Sequence, residues 1–91
     1  MNREDLMQLL REKYPNMFLR TSEQFSSEYK NGIWTSCEES SLAKDGCPLF
    51  NYDSISPRYE LGIHSEIYKL LEEHGWYCEW YDAGTILIWP E

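Results

Sequence analysis

Histidines, cysteines and paired carboxylates are the side chains of this 91-residue chain whose types and spacing bear most directly on chemistry. Structural zinc asks for paired ligands at short spacing. Cys37, Cys47, Cys78, His64 and His74 contain no such pair. The two histidines fall on one expected helix, where at about 100° per residue they point about 80° apart. His74, just before Gly75, is placed to face the negative end of that helix rather than a metal. No metal site is expected.

Covalent catalysis needs a nucleophile, a base and a group that orients the base. A thiolate of Cys37 or Cys47 beside His64 would supply the first two, but an acidic environment raises a thiol pKa and keeps the sulfur protonated. The serines fall mostly in loop and cap contexts, where their hydroxyls serve the backbone. No G-x-S-x-G elbow occurs, and the five glycines form no phosphate cradle. Of the carboxylates, Glu72-Glu73 reads as the solvated side of a helix. Glu38-Glu39 opens an irregular stretch that also holds Asp53, and Glu60 follows it. No catalytic residue and no cofactor-binding residue is assigned.

The strongest chemical signal is aromatic. Four Trp, seven Tyr and three Phe supply 15% of the chain, and five of these fourteen rings fall in 76–89. That stretch reads as a β-hairpin around Asp82-Ala83-Gly84, with Gly84 left-handed in a three-residue loop and Tyr81 opposite Thr85. Alternation then puts Trp76, Cys78, Trp80, Ile86 and Ile88 on one face, the core face. Tyr77, Glu79, Tyr81, Thr85, Leu87 and Trp89 share the other. Tyr and Trp are enriched at protein interfaces, so Tyr77, Glu79, Tyr81, Leu87 and Trp89 are the expected interaction surface. The competing reading covers this face with the N-terminal helix or the segment from Cys47 to Tyr52. If nothing covers it, a homodimer through it is expected, because a self-complementary patch closes on itself.

The elements around the hairpin are predicted from periodicity and breakers. Asn2 caps a helix over 3–14, with Leu6, Leu9, Leu10 and Tyr14 on its apolar stripe and Pro15 as its stop. Thr21-Ser22-Glu23-Gln24 starts a short helix over 22–29, ended by Asn31-Gly32. Ile33 to Cys37 reads as a strand. An irregular loop over about 38–57 follows, in which Cys47 to Tyr52 is apolar enough to pack down. Arg58 to Leu61 is extended, and a helix over 63–74 buries Ile63, Ile67, Leu70 and Leu71 before Gly75 caps it. The expected fold is one α+β domain over 1–91, a small mainly antiparallel sheet of three to four strands packed against two main helices.

Charge narrows the partners. The formal net charge is −8, and it is uneven: residues 46–91 carry eight acids against Arg58 and Lys69 alone. That field repels phosphate backbones and anionic lipid, so neither direct nucleic-acid binding nor membrane attachment is expected. Three cysteines leave one unpaired in any disulfide scheme, which suits a reducing compartment. Met1 to Asp5 has no apolar signal core behind it, and no apolar run reaches transmembrane length. A cytoplasmic protein is expected.

The residues Lys44-Asp45-Gly46-x-Pro48-Leu49-Phe50-x-Tyr52, Arg58-Tyr59-x-x-Gly62-Ile63-His64 and His74-Gly75-Trp76-Tyr77-x-Glu79-Trp80-Tyr81-Asp82-x-Gly84-Thr85 resemble small uncharacterised proteins of tailed bacteriophages, marine ones included. Leu10-x-x-Lys13-Tyr14-Pro15-x-x-Phe18 is similar to the opening of many short phage reading frames. The resemblance implies action inside a bacterial host cell and carries no activity or site residue. The expected function is a non-enzymatic accessory protein that binds a host or phage protein through an acidic, aromatic surface. The alternative is a small enzyme or ligand-binding domain that uses the 38–57 loop with His64.

Overall fold

A computed structural model describes residues 1–37 and 42–91 of the chain; Glu38, Glu39, Ser40 and Ser41, with the opening of the expected irregular loop, lie outside the described residues. Helix α1 (Arg3–Lys13) starts where Asn2 accepts the Asp5 N–H at 2.9 Å, with Glu4 and Asp5 in its positive first turn. Its Leu6, Leu10 and the following Tyr14 are buried. The chain then forms β1 (Arg20–Thr21), α2 (Ser22–Phe25) and β2 (Ile33–Ser36). A reciprocal cap between Thr21 and Gln24 opens α2. It ends after one turn rather than reaching 29, and Phe25 and Tyr29 stack at 5.9 Å across a turn instead of along a helix. Asn31 takes a positive φ of 71°. Its N–H donates to Glu23, whose carboxylate also meets Arg3 of α1 at 2.7 Å.

Past the loop come β3 (Tyr59–Glu60), β4 (Ile63–His64), α3 (Ser65–Glu73), β5 (Trp76–Asp82) and β6 (Thr85–Pro90). The fold is α+β: among the described residues, an antiparallel sheet of four strands in the order β1-β2-β6-β5, a separate two-stranded β3-β4 ribbon, and three helices. Helix α3 begins later than its apolar pattern suggests, because Ile63 and His64 are extended and His64 serves as its N-cap. Gly75, at φ 79°, ends it as expected. Leu6, Leu10, Ile67, Leu71, Ile33, Ile86 and Ile88 form one core between the helices and the sheet, sealed by Leu49 and Phe50 of the loop.

The hairpin has the expected pairs from Tyr77 opposite Trp89 through Trp80 opposite Ile86. Its turn differs. Asp82 faces Thr85 across the two residues Ala83 and Gly84, and the Asp82 carboxylate accepts the Gly84 N–H at 2.9 Å. Tyr81 becomes a bulge, and Gly84 needs no left-handed backbone. An aspartate that closes the turn with its own side chain makes the loop one residue tighter than the glycine alone suggests. Gly62 does require its lack of a side chain. Its φ is 81°, and a Cβ there would lie 3.1 Å from Trp80 Cζ2 and 2.9 Å from the Asn51 carbonyl.

Candidate functional site

Two places gather the candidate residues. The first lies where the loop meets α3. His64 is 5% exposed. Its Nδ1 accepts the Glu66 N–H at 3.0 Å, which caps α3. An acceptor nitrogen carries no proton, so the ring proton sits on Nε2 and is donated to Asp45 Oδ2 at 3.0 Å. Asp45 also accepts the Cys47 N–H at 2.9 Å. That backbone bond, with His64 after it, holds the Asp45 carboxyl down at about 2. Arg58 Nη1 donates to Cys47 Sγ at 3.3 Å.

Around this knot Tyr14 and Glu66 form a second link. The Tyr14 hydroxyl donates to Glu66 at 2.6 Å, and the Lys44 N–H donates to the other oxygen at 2.9 Å. Burial alone would raise Glu66, but these two donors outweigh it and leave its carboxyl below the ordinary value. The same burial, with the neighbouring negative charge, pushes the Tyr14 phenol up.

Chemically this cluster is a clasp. The loop does bring Cys47, Asp45 and His64 into one neighbourhood, as the enzyme alternative needs. Yet both ring nitrogens of His64 are engaged, one on backbone and one on Asp45, and neither is left to take a proton from a thiol. Cys37 is no better placed: its thiol donates to the Phe50 carbonyl at 3.3 Å, and burial pushes it up. Glu38 and Glu39 lie outside the described residues; Asp53 and Glu60 are exposed, as are Glu72 and Glu73 on α3. Among the described residues, no group of three His, Cys, Asp or Glu side chains gathers as metal ligands. No helix among them is long and apolar enough to cross a membrane.

The clasp makes a pH-dependent contribution with a definite sign. The carboxyls of Asp45 and Glu23 are both held at about 2, Glu23 chiefly by the Asn31 N–H. An unfolded carboxylate titrates near about 4. Stability from these groups is therefore complete above about pH 4 and drains away as pH falls toward 2. The melting temperature should drop across that window, and Asp45→Asn should flatten the dependence. Parallel melting curves for wild type and variant from pH 5 to 2 would show that Asp45 takes no part.

The second place is the other face of the sheet. Trp34 of β2 lies beside Leu87 of β6, and Phe18, Phe25 and Tyr29 fold over them. Phe25 meets Trp34 at 5.2 Å and Tyr81 at 4.8 Å, while Tyr29 meets Trp89 at 6.1 Å. Trp89 sits so close over Gly32 that a Cβ there would come within 2.5 Å of its ring. Neither α1 nor the segment from Cys47 to Tyr52 covers this face; the rings from Phe18 to Tyr29 do. Leu87 is consequently 2% exposed and Trp89 half-buried. Tyr77 and Tyr81 remain 45% and 53% exposed, with exposed Glu79 between them on β5. Of the five surface candidates, Tyr77 and Glu79 face solvent, Leu87 and Trp89 belong to the aromatic layer beneath the α2 segment, and Tyr81 is exposed at the edge of that layer, against Phe25 and Tyr29.

That layer was half visible in the sequence. The surplus of rings on the hairpin is plain, but the partners that cover it lie fifty or more residues earlier, and no local spacing connects them. Comparison of the chain with protein families, curated proteins and solved structures yields no match.

Proposed function

We propose that this chain is a non-enzymatic protein-binding module, an accessory factor of bacteriophage type that engages a host or phage protein in the cytoplasm of a bacterial cell. The observation that carries the reading is the row Tyr77, Glu79, Tyr81, solvent-facing on β5 in the half of the chain whose charge is strongly negative. Exposed tyrosines flanking a carboxylate supply contact area at low rotamer cost, with a charge that selects basic partners. The engagement of both His64 nitrogens argues against the loop as an acid–base centre. The resemblance of the motifs from Lys44 to Thr85 to tailed-phage proteins supports the cellular setting.

The test is capture from bacterial lysate with the wild-type chain and with the combined variant Tyr77→Ser, Glu79→Lys, Tyr81→Ser, at low and high salt. Tyr77 and Glu79 lie at the surface, while Tyr81 also packs on Phe25, so the variant should fold with a somewhat lower melting temperature than wild type, checked by circular dichroism before capture. A bound protein lost in the variant and weakened by salt is the expected result. Capture that is indifferent to all three substitutions removes the reading.

A further inference from the structure

We infer that β5 is a docking edge, and that its occupant is an extended basic segment of another protein added to the sheet as a fifth strand. The inference rests on the protein-binding reading above and gives that surface a partner class and a mode of attachment.

Among the described residues, strand order places β5 at the rim of the sheet, beside β6 alone. The Glu91 N–H donates to the Gly75 carbonyl at 2.9 Å, which fixes the phase of the ladder. In antiparallel pairing, bonded and non-bonded pairs alternate. Tyr77 opposite Trp89 and Glu79 opposite Leu87 are then the bonded pairs. The N–H and C=O groups of Trp76, Cys78 and Trp80 point away from β6. Among the described residues, no hydrogen bond uses those outward groups.

Most proteins guard such an edge with short strands, Lys, Pro or inward-pointing charges. The opposite rim follows that rule, since β1 has two residues. In contrast, β5 has seven residues and contains neither Lys nor Pro. The Tyr81 bulge protects only its turn end. Trp76 itself is buried, so the accessible part of this rim runs from Tyr77 to Trp80, a length of about 13 Å, enough for a partner strand of about four residues.

Charge selects the occupant. Glu79 and Asp82 are exposed on β5, Glu72 and Glu73 on the neighbouring helix, and Glu91 at the strand's far end. The bases after residue 57 are Arg58 and Lys69 alone. A second copy of the chain would bring the same negative half alongside, which disfavours self-pairing. A strand with Lys or Arg at alternate positions meets the reverse situation. Its side chains on one face fall beside Tyr77, Glu79 and Tyr81, where a cation can pair with the carboxylate or lie over an exposed ring. Backbone bonds would supply affinity and the alternating pockets specificity, as in other strand-addition complexes.

The probe is a labelled eleven-residue peptide of alternating Arg and Val, titrated into the wild-type chain at physiological salt. Its controls are the same peptide N-methylated at every second residue, a Glu-for-Arg peptide, and the Glu79→Lys variant. Expected are saturable binding, protection of the Cys78 and Trp80 amides from hydrogen exchange, at least tenfold weaker binding of the methylated peptide or the variant, and none of the Glu peptide. Equal binding of methylated and unmodified peptides would reduce the contact to charge attraction and overturn strand addition. Absence of binding, or an antiparallel β5 pairing between two copies in sedimentation and exchange, overturns the basic-segment assignment. The surface reading falls separately, when the triple surface variant still captures the same lysate protein.

Discussion

Trp76→Ala should lower the stability of the domain by about 3–5 kcal/mol, the usual cost of removing a buried tryptophan. Trp76 is 3% exposed. It belongs to the core shared by α1, α3 and the sheet, and its indole N–H donates to the Met1 carbonyl at 2.9 Å. Truncation therefore empties a cavity and leaves the chain's first residues without their anchor. For a domain with total stability of about 5–10 kcal/mol, such a loss is a large share of the whole. Urea unfolding should show a much lower midpoint with little change in slope. A variant that unfolds at the wild-type midpoint would place Trp76 outside the core.

The second large effect is expected at His64. His64→Ala should cost about 2–4 kcal/mol, from a lost cap, a lost bond to Asp45 and a small cavity. His64→Asn separates these terms. Asparagine at an N-cap position accepts a backbone N–H as histidine does here, so it should recover about 1 kcal/mol while the Asp45 tie stays broken. Hydrogen exchange provides a second readout: the first turn of α3 should open in the Ala variant and close again in the Asn variant. Equal stability of wild type and His64→Ala would mean that the clasp contributes nothing to the fold.

Much of this architecture was legible because it is written in local periodicity. The α1 stripe of Leu6, Leu10 and Tyr14, the Gly75 stop and the hairpin pairing all follow from spacings within a dozen residues. The errors share a cause as well. Phe25 and Tyr29 have helical spacing, yet α2 stops at Phe25 because those rings pack onto Trp34, Tyr81 and Trp89 instead of continuing a helix. Tertiary contact overrode propensity there. The Tyr81 bulge accompanies a single side-chain bond, the Gly84 N–H donating to Asp82, that no apolar pattern encodes.

The site was legible in composition and not in arrangement. The acidic half and the surplus of rings pointed to the C-terminal hairpin, and Tyr77, Glu79 and Tyr81 are on its surface. Leu87 and Trp89 are placed on the same face by alternation, but Trp34 of the neighbouring strand and the rings of Phe25 and Tyr29 cover that part of it. His64 was visible as a reactive side chain, while its two hydrogen-bond partners, one nineteen residues upstream and one two residues on, give it a structural task.

The place of β6 has a consequence for how the molecule comes together. It lies between β2 and β5, so the sheet is not assembled in the order in which the chain runs. The β5-β6 hairpin closes across two residues and can zip on the microsecond scale of such turns. Joining it to β2 must fix Ile33 against Ile88 across most of the chain, a slow and entropically costly search. Until that meeting, the hairpin has two unpaired rims rather than one. The same topology makes the domain indivisible: a fragment lacking β6 leaves β2 and β5 with no strand between them to join.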